Sequence, residues 1–434
     1  MMVKNKPRRS FIGFQDFTAS THSVMESGKV KDTEDKDMCD ITGHLGPWQM
    51  RSFTIFIFIA FCCSWHNLIL TFQSPNVSYW CKSTYNGSTF WKYDKHSECY
   101  DGENKCESWV YDESIYKSTI VSEWDLVCDR KWLTSVAKSI YMFGHLVACV
   151  VFGQLSDRIG RRPVILLCYF LFFWCSVATI FVNSIGMFIF LRFLLAVGVT
   201  AAYTTAFVIV MEVMGSEVRP LYGVVAKFGW TLAYVSLPIV AWFIRDWRQL
   251  QIAITLPWVT MIPMWWYLEE SPRWLLTTGQ VERAEVLLLE ACEKNGKRRE
   301  EVQVPILKLC SRTLKDQNAS SKKENISDLL KYPFLRRSAF YQLYVWFSTS
   351  LVYYALTWST NELEGDPYWN FFLSGLVEVP ASLFCMFFAQ NCGRRKPLAS
   401  AAFANGILLT LYSAVVARKG NYGELGLFMA AKFC

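Results

Sequence analysis

The sequence predicts an all-α membrane protein, and three observations carry that reading. Hydrophobic residues make up 52% of the 434-residue chain and charged residues only 19%, where a soluble chain carries about 25% charge. Mean hydropathy is positive. The apolar residues also run in unbroken stretches close to the ~20 that a helix needs to cross a bilayer.

Residues 1–50 are polar and charged and lack the apolar core of a signal peptide. They read as a cytosolic N-terminal tail, disordered at least in part. The first span runs from about Ser52 to Phe72. A large loop, 73–131, follows with Cys81, Cys99, Cys106 and Cys128 and with glycosylation sequons at Asn76 and Asn86. Cysteines clustered with sequons point to an oxidising extracellular side. The four allow three disulfide pairings, and the sequence does not choose among them.

Further spans are expected at 133–153, 163–183, 186–211, 222–244 and 248–268, completing a first six-helix half over 51–268. A cytosolic linker over 269–336 contains an amphipathic helix at about 281–294. Its two sequons, Asn318 and Asn325, fall on the unglycosylated side. The partial second half, 337–434, holds spans at 337–360, 369–390 and 397–417, and a tenth begins near Gly423 and is unfinished at Cys434. The expectation is therefore nine full spans plus the start of a tenth, with the second half incomplete.

Charge supports this topology. Arg158, Arg161 and Arg162 follow the second span, Arg394, Arg395 and Lys396 follow the eighth, and the linker is basic. All lie on the tail's side, as the positive-inside rule requires, which makes the N-terminus cytosolic. The formal net charge of +7 reflects these loops. No interleaved basic and aromatic surface suggests a nucleic-acid partner. There is no phosphate-binding glycine loop, no metal-ligand spacing and no nucleophile elbow, so no cofactor, metal or enzymatic activity is expected.

An internal repeat adds to this. Gly160-Arg161-Arg162 after the second span recurs as Gly393-Arg394-Arg395 after the eighth. Parallel repeats of this kind mark transporters built from two related halves.

The segment Gly153 to Arg162, with Asp157, Arg158 and Gly160, resembles the signature loop of the major facilitator superfamily. Ser118 to Asp129, containing Glu123-Trp124-Asp125, resembles the end of the external loop of its organic cation, carnitine and organic anion transporters. Glu270-Ser271-Pro272-Arg273-Trp274-Leu275 resembles their segment after the sixth span, and Glu212 to Arg219 the end of their fourth. The resemblance implies the major facilitator fold and alternating access in the plasma membrane. Because members have twelve spans, it also implies that the chain is C-terminally truncated. It further implies a cytosolic gate of Gly153, Asp157, Arg158, Gly160, Arg161, Arg162, Glu212, Arg219, Glu270, Arg273, Gly393, Arg394 and Arg395.

Polar and aromatic groups inside the spans are the substrate-cavity candidates, because polar groups are costly there. They are His66, Asn67, Lys227, Trp346, Tyr353, Tyr354 and Glu378. An aromatic cage holds a quaternary ammonium by cation–π attraction. Arg192 reads as structural. His66-Asn67 resembles the anion members, whereas Glu378-Val379-Pro380-Ala381, followed by Ser382 rather than Lys, resembles the cation and carnitine members. Lys227 would repel a cation. The balance favours organic cations or carnitine-like zwitterions. An organic anion exchanger and a truncated, non-transporting regulatory product are the alternatives. The expected partners are a small organic ion, the lipid bilayer and a coupling ion or counter-solute. Oligomeric state is not encoded in any feature of the sequence.

Overall fold

The computed structural model describes residues 37–433 apart from 86–87, 92–98, 102–103, 107, 320–329, 361–362, 364, 394 and 418–423. The expected sites Asn86 and Arg394 lie outside the described residues, as does the tail up to residue 36. In chain order the helices begin with α1 (Met38–Thr42), α2 (Pro47–Leu68), α3 (Leu70–Gln73) and α4 (Ile120–Glu123). Next come α5 (Trp132–Ile159), α6 (Arg161–Ile180), α7 (Ile185–Val213), α8 (Arg219–Val225) and α9 (Lys227–Phe243). Then follow α10 (Trp247–Val259), α11 (Met264–Tyr267), α12 (Pro272–Thr277), α13 (Val281–Lys294) and α14 (Arg299–Ala319). The last are α15 (Pro333–Ser359), α16 (Pro367–Asn391), α17 (Arg395–Ala417) and α18 (Glu424–Phe433).

Among the described residues, seven helical stretches are long and apolar enough to cross a membrane: α2–α3, α5, α6, α7, α8–α9, α16 and α17. Two expected spans differ. The sixth breaks after the 13 residues of α10, where Pro257 and Pro263 deny the backbone two amide donors. The seventh, α15, has 27 residues, but its Gln342 and its many Tyr, Trp, Ser and Thr residues keep its mean hydropathy low even beyond Arg336 and Arg337.

The helices follow local chemistry. Gly160 and Gly393 both sit at positive φ, +109° and +77°, where only glycine is free of strain. Each lets the chain reverse into the next helix, so the repeated Gly-Arg-Arg motif has a common backbone cause. α7 is apolar on all sides and carries the small residues Ala196, Ala201 and Ala202 in its buried stretch. Small residues let helices approach closely in lipid. A Cβ on Gly144 of α5 would stand 2.8 Å from the Phe193 carbonyl oxygen of α7. Gln73, Gln251 and Ser176 form a hydrogen-bonded chain that ties α3, α10 and α6, with Gln73 Nε2 to Gln251 Oε1 at 3.1 Å and Gln251 Nε2 to Ser176 Oγ at 2.9 Å.

The loop between α3 and α4 is not wholly irregular. β1 (Tyr79–Tyr85) pairs antiparallel with β2 (Ser88–Trp91) and, on its other edge, with β5 (Trp109–Tyr111). β3 (Tyr100–Asp101) and β4 (Asn104–Lys105) form a second small pair. The four expected cysteines form Cys81–Cys106 and Cys99–Cys128. The Glu123-Trp124-Asp125 motif anchors this loop. Glu123 accepts from Trp247 Nε1 at 2.7 Å and pairs with Arg248. Arg248 also donates to the Ile180 carbonyl and, at 2.6 Å, to that of Val182. Trp124 packs on Phe188 and Trp247, and Asp125 accepts from Tyr111 at 2.8 Å.

The chain divides into two compact units. The larger contains residues 51–211, 219–271 and 323–434, and with them the spans. Of the described residues, the smaller gathers 37–50, 212–218 and 272–319, so residues of the expected tail and linker meet in it. Its core joins Met38, Cys39 and Ile41 of α1 to Leu275, Leu288, Cys292, Ile306 and Cys310. α13 occupies the range expected for the amphipathic helix and buries Val281, Ala284, Leu288 and Leu289 on one face. Helix α1, a five-residue element, is too short to persist alone. A capping box opens it, in which the Asp37 side chain accepts from the Asp40 N–H and Asp40 Oδ2 accepts from the Asp37 N–H at 2.9 Å. At its other end Lys297 Nζ donates to the Ile41 carbonyl at 2.5 Å and Asn295 Nδ2 to that of Thr42 at 2.9 Å. Asn295 Oδ1 also accepts from Trp48 N–H at 3.0 Å. Burial pushes the Cys310 thiol up to about 12 and raises that of Cys292.

Thiols held protonated and buried react slowly with maleimide. Asn295→Ala removes three hydrogen bonds that tie the end of α13 to α1 and to the start of α2. It is expected to speed Cys292 labelling by about tenfold, from ~1–1.5 kcal/mol of lost local stability. Peptide mass spectrometry after timed labelling measures this, and an unchanged rate would show that this junction does not depend on Asn295.

Candidate functional site

Within the larger unit, one carboxylate gathers polar and aromatic groups from four helices. Glu378 lies two residues before Pro380 on α16. Its Oε1 accepts from Tyr353 Oη of α15 at 2.8 Å. Tyr353 Oη in turn accepts from Trp230 Nε1 of α9 at 2.7 Å. Lys432 of α18 completes the cluster, with Nζ 3.7 Å from Glu378 Oε1 and side-chain exposures of 1% and 13%. Nζ also donates to Thr357 Oγ1 at 2.5 Å and to Tyr234 Oη at 3.3 Å. Tyr234 Oη is 3.1 Å from Ser374 Oγ. The ammonium stands 4.2 Å from the centre of the Tyr353 ring and 4.9 Å from that of Tyr234. A buried cation needs such company, since unpaired it would cost several kcal/mol.

The site is thus an aromatic cage closed by a carboxylate and holding an ammonium ion. Sequence reasoning singled out Glu378 and Tyr353 as cavity candidates, and the structure brings these two side chains together. That reasoning missed Lys432, Tyr234, Trp230, Thr357 and Ser374. Lys432 had a readable signal, a lone charge in the apolar run Leu425 to Phe433, but that run is shorter than the ~20 residues by which a span is recognised. Tyr354 lies next to the cage, its ring 5.5 Å from Tyr353. Trp346 is not brought there. It is 70% exposed, because the first half of α15 lies largely exposed and only the end beyond Val352 packs. Helical phase placed Trp346 on the face of Tyr353 but could not show where that face stops being buried. Lys227, the first residue of α9, is exposed, and Trp230 and Tyr234 follow it one and two turns later.

His66 and Asn67 form a second, separate cluster. Asn67 Oδ1 accepts from Tyr141 Oη at 2.5 Å and lies 3.1 Å from His145 Nε2. The His66 carbonyl accepts from Arg192 at 3.1 Å and from Tyr141 at 3.2 Å. Its ring stands edge-on to Phe172, with centroids 4.6 Å apart. Arg192 is fully buried over the Tyr141 ring, 4.3 Å from its centre. It joins α2, α5 and α7 from within.

The expected gate residues have distinct places. Glu270 accepts from the backbone N–H groups of Arg161 (2.9 Å) and Arg162 (3.2 Å). Its carboxylate therefore sits on the N-terminus of α6, where free amides and the helix dipole favour an anion. Arg161 folds back to Asp157 at 3.0 Å and to the Ser156 carbonyl at 3.0 Å. Arg158 and Gly153 are exposed. Beside Glu270, Glu269 pairs with Arg51 at 2.6 Å, a bridge that the motif reading overlooked. Glu212 lies in the last turn of α7 and Arg219 begins α8, both half-buried. Glu212 and Arg273 belong to the smaller unit, where Arg273 approaches Asp37 at 3.6 Å. Among the described residues no group of acidic, His and Cys side chains is arranged to hold a metal ion.

Comparison with known proteins places this architecture. The sugar (and other) transporter family matches residues 67–434. An organic cation transporter protein of Drosophila melanogaster is 32% identical over 86% of this chain and 74% of its own length. Human organic cation/carnitine transporter 2 is 35% identical over 76% of this chain and 59% of its own. Mouse solute carrier family 22 member 4 is 34% identical over 78% and 61%. The chain thus spans about three fifths of the mammalian relatives' length. Among solved structures, the E. coli xylose transporter XylE in a partially occluded inward-open conformation aligns with a TM-score of 0.61 at 14% identity, over 89% of this chain and 84% of that one. A peptide transporter of the POT type aligns at 0.51 and 14%, over 92% and 82%. At such identities the likeness concerns the fold.

If the Glu270 carboxylate stabilises α6 through charge and hydrogen bonds together, Glu270→Ala lowers stability by about 1–2 kcal/mol and Glu270→Gln by roughly half as much. Thermal unfolding of the detergent-purified protein measures both. Two variants with the native midpoint would show that the cap is dispensable.

Proposed function

The chain belongs to the sugar (and other) transporter family of the major facilitator superfamily, on its organic cation and carnitine transporter branch, and from that premise we propose that it carries small organic cations or carnitine-like zwitterions across the plasma membrane. The observation that carries this reading is the ammonium of Lys432 between the rings of Tyr353 and Tyr234, with Glu378 at 3.7 Å. Electron-rich ring faces and one carboxylate are the recognition chemistry of a quaternary ammonium. The lysine stands in for that group. A zwitterion suits the pair further: its ammonium replaces that of Lys432, and the freed Lys432 can meet its carboxylate.

Transport would proceed by alternating access about this site, driven by a gradient or by exchange against a counter-solute. The N-terminus would lie in the cytosol, and Glu270, Arg161 and Asp157 would belong to the gate on that side. In that orientation Asn76 is extracellular and available for glycosylation. The second lysine, Lys227, one and two turns before Trp230 and Tyr234, favours anion exchange as the competing reading, and the same assay addresses it.

Uptake of labelled tetraethylammonium, carnitine and p-aminohippurate by cells expressing the protein separates these cases. The expected result is uptake of at least one of the first two, with Glu378→Gln reducing it about tenfold or more through loss of a ~1.5–3 kcal/mol charged contact. Uptake of p-aminohippurate alone would reverse the charge assignment.

A further inference from the structure

Among the described residues two lysines stand over aromatic rings, one at each end of a single run of rings. At the inner end is Lys432, over Tyr353. At the other end Lys138 of α5 lies with Nζ 5.8 Å from the centre of the Trp358 ring on α15. The rings between them follow without a break. Trp358 is 5.6 Å from Tyr354, and Tyr354 is 5.5 Å from Tyr353. Tyr354 and Trp358 are four residues apart on one helix, so they share a face, one turn above the other. The two ends differ in access. Lys432 is sealed, whereas Lys138, Tyr354 and Trp358 are each half-buried.

We propose that the Trp358–Tyr354 face is an outer binding station for the cationic head of the substrate, and that Lys138 is a tethered competitor covering it until a ligand displaces it. This rests on the cation or zwitterion reading of the Glu378 site. The chemistry favours exchange. A lysine ammonium is compact and strongly hydrated, which weakens its hold on a ring face. A quaternary ammonium brings methyl or ethyl groups that lose little on leaving water, and it is the cation that aromatic faces recognise best. From Trp358 to Tyr353 the helix rises by roughly 7–8 Å. A head group could make that step with a ring face against it throughout, passing from a station shared with Lys138 to one shared with Lys432. The arrangement gives the protein one cation of its own at each station, so neither ring face is left bare when substrate is absent.

The test is concentration-dependent tetraethylammonium and carnitine uptake by cells expressing the full chain, normalised to surface protein. Trp358→Ala is expected to raise KM about five- to tenfold with Vmax within about twofold, the loss expected of one partly desolvated cation–π contact. Trp358→Phe keeps a ring and should stay near the native KM. Lys138→Ala should move KM the other way, lowering it about two- to threefold, and Lys138→Arg should not, since it restores a competing cation. Opposite shifts are the signature, because a merely structural role would not produce them. Should Trp358→Ala fail to reach the surface, Trp358→Leu and Lys138→Ala decide by the same rule. Native protein that takes up neither substrate removes the central-site reading itself. Native uptake with KM unchanged in the variants, or raised by Lys138→Ala as well, overturns the outer station alone.

Discussion

An ammonium ion deep among transmembrane helices is tolerated only where the protein supplies a counter-charge and replaces the hydrogen bonds of water. For Lys432 the replacements come from separate elements: Glu378 from α16, Tyr353 and Thr357 from α15, Tyr234 from α9. Meeting that one requirement fixes the packed end of α15 and brings α9, which precedes the long linker, against helices that follow it. The Tyr234–Phe371 and Phe72–Phe371 ring contacts extend the same seam to α3. The site is therefore part of what joins the two halves of the sequence, and a ligand that replaced Lys432 there would act on the packing as well as on the charge.

The same demand recurs at the ends of the spans. Glu270 answers the free amides that open α6. Arg248 answers the carbonyls that close it, at Ile180 and, just beyond the helix, Val182, while sharing Glu123 with Trp247. One helix is thus finished at both ends by side chains from distant segments, Glu270 lying in one motif by which the family is recognised and Arg248 pairing with Glu123 of another. Those motifs have a physical purpose before any functional one: they terminate helices whose ends would otherwise present unpaired backbone groups near an apolar medium.

Much of the fold was legible because hydrophobic length and period are local properties. The windows that suggested spans correspond to helices whose ends shift by only a few residues, and α13 occupies the range its amphipathic pattern indicated. The interruption after Val259 was also written in the chain, by Pro257 and Pro263, but a window of mean hydropathy averages across such breaks. What could not be read depended on distance. Nothing in five polar and apolar residues at Met38–Thr42 announces a helix, because its stability comes from Cys292 and Asn295, more than 240 positions away. The cysteine pairing required the sheet that brings Cys81 alongside Trp109. Glu378 and Tyr353 were readable as isolated costs in apolar helices, whereas their shared partner Lys432 and the exclusion of Trp346 depend on how α15 and α18 pack.

Helix α1 is among the first structured elements to be synthesised, yet the partners that hold it are made much later. The Cys292 thiol that meets the Ile41 carbonyl is 251 residues downstream. At translation rates of about 5–20 residues per second, roughly 10–50 seconds separate the two. During that interval five helical stretches long and apolar enough to span must leave the ribosome and enter the bilayer while the leading peptide waits unfolded, since so short a helix has no stability of its own. Docking of α1 is then a late event that reports completed insertion of the intervening chain. A nascent protein that stalled or inverted within its first half would keep Met38, Cys39 and Ile41 uncovered, a small apolar flag for the quality-control machinery of the cell.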